Sequence, residues 1–102
     1  MNDENELPTP FDDAAREVVE LGNRMMEQDP QADPWEIASG LLSGAVHFWL
    51  HSRQPCGDPG CEDCAPISDA ESRLAALLQE CREEAEASFY FHAPTDRNAG
   101  HA

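Results

Sequence analysis

Three cysteines between residues 56 and 64 are the side chains of this 102-residue sequence best suited to chemistry. The four residues between Cys56 and Cys61 include a Pro-Gly pair, which favours a tight turn that would bring the two thiols together. Cys61 and Cys64 have the two-residue gap that is common among zinc ligands. The segment therefore predicts a structural zinc site.

A zinc site of this kind needs a fourth ligand, because structural zinc is tetrahedral. His51 is the predicted fourth ligand, since it is expected in the last turn of the helix that precedes the cysteines. His47 lies four residues earlier on the same helix face and is one alternative. Cys81 is the other, although it lies about 12 residues, or roughly 18 Å, into the following helix.

The same cysteines allow two other interpretations, which are unligated thiols and a redox pair. Like charges from Asp58, Glu62 and Asp63 disfavour thiolate formation, and only Arg53 offsets them. A redox Cys-x-x-Cys motif needs a preceding strand and a lowered thiol pKa, and the sequence indicates neither. Because the first residues lack the pattern of an export signal, we expect a reducing cytoplasm, which favours metal binding over disulfides.

No segment combines a nucleophile, a base and an orienting acid. His47 and His51 have the spacing of two metal ligands on a helix, but Phe48 occupies the position that is Glu in metalloproteases. We therefore predict no catalytic residue and no enzyme. A thiol redox enzyme or a metallo-enzyme is the remaining catalytic alternative.

The charge of the chain constrains its partners. It contains 21 acidic and 6 basic residues, for a formal net charge of −15. Such a surface repels phosphate, so direct binding of nucleic acid or of an anionic membrane is not expected, and a basic protein surface is the expected partner. The alternative is a DNA mimic, for example phage-encoded, that inhibits a DNA-binding protein through rows of helix carboxylates.

The spacing of apolar residues predicts an all-α fold, a compact three-helix domain with helices over about 10–28, 34–53 and 68–91. The Cys-rich segment becomes the loop between helices two and three. Ser68 and Glu71 form the capping box expected to begin helix three. Glu80 is expected to face water, whereas the expected apolar stripe contains Ala70, Leu74, Leu77, Leu78, Cys81, Ala85 and Phe89.

The second helix is apolar over most of its circumference, from Ile37 to Leu50. A helix of this composition is normally surrounded by protein. We expect it to pack against both other helices or to pair across a homodimer. Gly40 and Gly44 favour a close helix crossing, since glycine in a helix interior otherwise costs about 1 kcal/mol relative to Ala.

The remaining chain is divided into an acidic, disordered lead-in over 1–8, a single helical domain over 9–92 and a flexible tail over 93–102. Phe89, Tyr90 and Phe91 are expected to fold onto the core, with a docking element as the alternative. Arginine without lysine, together with much alanine, is typical of a small bacterial or phage protein. The sequence predicts a regulatory or adaptor protein that acts by protein–protein binding.

Overall fold

The computed structural model describes residues 7–58 and 60–96, which contain three α-helices and no strand. Helix α1 spans Pro10–Gln28, α2 spans Pro34–Ser52 and α3 spans Ala70–Ala87. The predicted all-α fold with a Cys-rich segment between the second and third helices is confirmed. Most of the predicted lead-in and tail lies outside the described residues, and the division into one domain with two flanking segments stays a prediction.

The first helix begins as its sequence predicts. The hydroxyl of Thr9 accepts a hydrogen bond from the Asp12 N–H at 3.1 Å, and the Thr9 N–H donates to the Asp12 carboxylate at 3.3 Å. This reciprocal pair satisfies donors that the first helical turn leaves without an intrahelical acceptor. Pro10 fits the first position because its missing N–H is not needed there.

The chain divides into two compact units, Met1–Phe48 and Trp49–Ala102. In the first unit α1 approaches α2 at Gly22, which is buried. A Cβ atom added to Gly22 would lie 3.1 Å from Cδ1 of Leu41, which is tighter than an ordinary contact. Gly22 therefore allows the two helices to come together.

The glycines of α2 do not have this role within the first unit. A Cβ atom added to Gly40 or to Gly44 would meet nothing within 4 Å. Moreover, α2 has no buried residue. Packing of α2 against both other helices, one of the two expected arrangements, stays a prediction. Pairing of α2 across a homodimer stays a prediction.

Helix α3 begins and ends inside its predicted range. Ser68 directly follows a 3₁₀ turn over Ala65–Ile67 and keeps a helical conformation, which an N-cap does not have. Asp69 has the extended conformation of an N-cap instead. The Asp69 carboxylate accepts from the Ser72 N–H at 2.7 Å. The N-cap is thus Asp69, one residue after the predicted Ser68, and its bond from the Ser72 N–H replaces the predicted box of Ser68 and Glu71.

At the other end α3 stops at Ala87, before the aromatic residues. Ser88 is extended, and its hydroxyl accepts a hydrogen bond from the Tyr90 N–H at 3.1 Å. This local bond competes with helix continuation, as is usual for serine. Phe89 and Tyr90 are 90% and 86% exposed, so they do not fold onto a core. None of the described helices has the length and apolarity needed to cross a lipid bilayer.

Candidate metal centre

The Cys-rich loop lies in the second unit and is fixed at both ends. At the first end, the indole N–H of Trp49 donates to the Glu80 carboxylate at 3.0 Å. The guanidinium of Arg53 stacks on the Trp49 ring at 3.9 Å from its centroid and pairs with Glu80 at 3.6 Å. This cluster joins the last turns of α2 to the middle of α3.

The second end of the loop is fixed by Arg73. Its guanidinium donates to the Ile67 carbonyl at 3.0 Å, which holds the 3₁₀ turn against the start of α3. Leu77, one turn further along α3, is the most buried apolar side chain among the described residues, at 8% exposure. The loop from Gln54 to Asp69 therefore spans two anchored positions, whose separation along α3 is roughly 10 Å at 1.5 Å per residue.

Within the loop, two turns direct the cysteines toward one another. Gly57 lies in a bend directly after Cys56 and has a φ of +93°, a conformation that other residues rarely adopt. The Asp58 carboxylate accepts from the Gly60 N–H at 2.9 Å, and the Asp58 carbonyl accepts from the Cys61 N–H at 3.0 Å. These bonds close the turn predicted between Cys56 and Cys61, although Pro59 itself is outside the described residues.

The result is a cluster of three thiols. The sulfur atoms of Cys56, Cys61 and Cys64 all lie within 4.8 Å of one another. None of the three is in a disulfide, and Cys61 and Cys64 are half-buried whereas Cys56 is exposed. Three reduced thiols at this separation can hold a metal ion.

Hydrogen bonds inside the cluster distinguish its members. The Cys56 N–H donates to the Cys64 sulfur at 3.4 Å. Hydrogen bonds from the Cys64 thiol, the Cys64 backbone and the Cys56 thiol lower the pKa of Cys61. The Cys56 N–H likewise favours the Cys64 thiolate, but the neighbouring Cys61 and Cys56 thiols outweigh it and raise the pKa of Cys64. The cluster thus favours Cys61 as the first thiolate.

The predicted fourth ligand is not a member of this cluster. Among the described residues, the group of mutually close ligand atoms contains the three cysteines alone. Cys81 is exposed and outside the group. His51 lies in the last turn of α2, two residues before Arg53, and its ligation stays a prediction. His47 belongs to the first unit, and its ligation stays a prediction too.

The electrostatic surroundings of the loop differ from expectation in one respect. Arg53 was expected to offset the acidic residues beside the cysteines, but its guanidinium is engaged with Trp49 and Glu80. A divalent cation bound to the thiols would supply positive charge at the same place. An open cavity of about 280 Å³, lined in part by Cys61, Cys64 and Ser68, gives solvent access to the sulfurs.

Two features of the centre were missed in the sequence. The first is the hydrogen bond by which Trp49 and Glu80 fix one end of the loop. Its signal in the sequence was the tryptophan itself, because an indole N–H needs an acceptor once the ring is buried. The second is the conformational role of Gly57, signalled only by a glycine directly after a candidate ligand.

Comparison of the whole chain with protein-family models, curated proteins and solved structures gave no match.

Proposed function

We propose that this chain is a small helical protein of the cytoplasm that acts by protein–protein binding, and that a structural zinc ion holds the loop between α2 and α3. The observation that carries the proposal is the group of three reduced cysteine sulfurs within 4.8 Å of one another. His51 is the proposed fourth ligand.

Zinc is favoured over other cations by the ligand type. Thiolate sulfur selects zinc, copper(I) and iron–sulfur clusters, whereas calcium and magnesium take oxygen ligands. A loop anchored at both ends fits a structural role, because the metal then joins segments that the chain already brings close together. Three cysteines and one histidine form a common structural zinc set.

Protein binding is favoured by the apolar side chains on the surface. Among the described residues, Trp35, Leu42 and Phe48 of α2 are 84%, 59% and 70% exposed. Trp35 and Leu42 are seven residues apart, which places them along one side of α2, and large exposed apolar side chains on one helix face are typical of interaction sites.

DNA mimicry is less well supported. A mimic needs uninterrupted rows of negative charge, but arginines pair with the helix carboxylates. Arg16 lies 2.8 Å from Asp13, and Arg82 lies 3.7 Å from Glu86. These pairs reduce the local charge along α1 and α3.

Thermal unfolding with and without a strong chelator tests the metal role. The chelator is expected to lower the Tm of the wild-type protein, because metal-binding free energy contributes to folding at a structural site. Cys64→Ser should give the lower Tm without chelator. Cys81→Ser is the matched control and should behave as wild type, since Cys81 lies outside the cluster. A wild-type Tm that chelator leaves unchanged contradicts the proposal.

A further inference from the structure

The first unit contains a groove between the end of α1 and the start of α2. The groove has a volume of about 470 Å³ and is open to solvent. Met25, Ile37 and Leu41 contribute apolar side chains to its lining, and Asp33 and Glu36 contribute carboxylates. Its volume lies within the range of sites that accept ligands.

The groove continues into a longer apolar face on α1. Phe11, Val18 and Met25 follow one another at seven-residue spacing, which places them along one side of a helix. Their exposed fractions are 58%, 42% and 41%. Two helices in contact at Gly22 leave this face uncovered, and a third helix lying along it would bury it.

Charge decides what kind of helix can occupy the groove. Residues 7–48 carry eight carboxylates and two arginines, and Arg16 is already paired with Asp13. A second copy of the chain would bring a further formal charge of −15 to this acidic rim. Like charges across an interface are unfavourable, whereas a basic helix is attracted to it.

We propose that this groove binds an amphipathic helix of a partner protein, with apolar residues at helical spacing on one face and Lys or Arg beside them. The mode is that of a helix laid into a hydrophobic groove. Met25, Ile37 and Leu41 receive the apolar side chains, and Asp33 and Glu36 pair with the flanking cations. The inference rests on the proposed protein-binding function and adds the location of the site and the chemistry of the partner.

Two synthetic peptides of about 18 residues, long enough to form a helix, serve as probes. One has Leu at i, i+3, i+4 and i+7 with Lys elsewhere, and the other has the same composition in scrambled order. Both carry the same charge, so that attraction to an acidic protein is equal for the two. Binding to the full chain is measured by calorimetry at physiological ionic strength.

Two matched variants locate the site. Gly40 lines the groove and has open space around it, so Gly40→Leu fills the groove and improves helix propensity. Gly44 has equally open surroundings on the same helix but does not line the groove, so Gly44→Leu is the control. Circular dichroism checks that both variants keep the helical content of the wild type.

We expect the helical peptide to bind at least about tenfold more tightly than the scrambled one. Gly40→Leu should remove this difference in affinity, because the new side chain occupies the space that an apolar anchor of the peptide would fill. Gly44→Leu should retain it. Equal binding of the two peptides would overturn the proposal that the groove binds a helix, but would leave the proposal of a basic partner intact. If neither peptide binds, both proposals are contradicted. Wild-type protein that is dimeric by sedimentation, and monomeric after Gly40→Leu, would show that a second copy occupies the groove.

Discussion

Gly57 determines how the chain leaves the first cysteine of the cluster. Its φ of +93° lies in the region that is open to glycine and strained for residues with a Cβ atom. Because Cys56 directly precedes it, any change of conformation at Gly57 moves the Cys56 sulfur relative to Cys61 and Cys64. The thiol cluster therefore depends on a residue that ligates nothing.

Gly57→Ala is predicted to destabilise the metal-bound protein by about 1–2 kcal/mol, the strain of a left-handed conformation with a Cβ atom. Chemical denaturation of the zinc-loaded protein measures the change. Gly44→Ala is the control, because Gly44 lies in a helix with open surroundings and alanine there should stabilise the protein. A Gly57→Ala protein as stable as wild type would contradict the assigned role.

His51→Gln is predicted to weaken zinc binding while leaving the three thiols in place. A site with one ligand fewer holds the ion less tightly, and the fourth position then falls to water. Competition with a chromogenic zinc chelator measures the affinity. His47→Gln should leave the affinity unchanged. If His47→Gln weakens binding and His51→Gln does not, the alternative ligand is correct.

At the scale of elements, the three helices follow from the sequence because apolar spacing and capping residues are local signals. Thr9, Pro10 and Pro34 define the helix starts without any tertiary information. The buried face of α3 does not follow from the sequence in the same way. Leu74 and Leu78 belong to the expected apolar stripe, yet they are 48% and 59% exposed. Burial along α3 depends on which segment of the chain lies opposite each residue, and apolar spacing alone does not encode this.

Glu80 was expected in water because the sequence does not show which side chains from other parts of the chain it contacts. A glutamate on a helix is normally solvated, and only its contacts with Trp49 and Arg53 make it half-buried. The cluster of cysteines was predictable because its members are close in sequence and joined by a turn. Trp49 and Glu80, which fix the first end of its loop, are 31 residues apart along the chain, so only the fold reveals their contact.

Asp69 is predicted to make the start of α3 sensitive to acid. The hydrogen bond from the Ser72 N–H lowers the pKa of Asp69 below its ordinary value of 3.8. Because the pKa of Asp69 is lower in the folded state, ionised Asp69 stabilises the fold in full above its ordinary pKa. This contribution is lost as pH falls through the folded-state pKa. Asp69→Asn keeps a cap but does not titrate.

Thermal unfolding of both proteins between pH 7 and about pH 2 measures the effect. The Tm of wild type minus that of Asp69→Asn should be largest at the neutral end and decrease below pH 3.8. The cysteine site is common to both proteins, so its own response to acid cancels in the difference. A difference that is constant with pH would contradict the assignment.

At the scale of the whole molecule, the net charge of −15 should govern how fast partners associate. Association of the helical Leu–Lys peptide is predicted to slow steeply from low to physiological salt, where the screening length shortens to about 8 Å. Dissociation should change less with salt, because apolar contacts in the groove control it. Stopped-flow fluorescence measures both rates.

Phe91→Ala tests whether the groove or the aromatic segment at residues 88–92 anchors the bound peptide. Phe91 is 48% exposed and packs edge-to-face on His92 at 4.9 Å. If the groove is the anchor, Phe91→Ala leaves the dissociation rate of the peptide unchanged. A faster dissociation would assign the anchor to the aromatic segment.

The claim on which the account depends most is that Cys56, Cys61 and Cys64 hold one metal ion. Native mass spectrometry of the full chain, purified without chelator, measures this directly. We predict the mass of the chain plus one zinc for wild type and for Cys81→Ser, and loss of that zinc in the triple change of Cys56, Cys61 and Cys64 to serine. A wild-type chain that carries no metal after incubation with zinc would contradict the account.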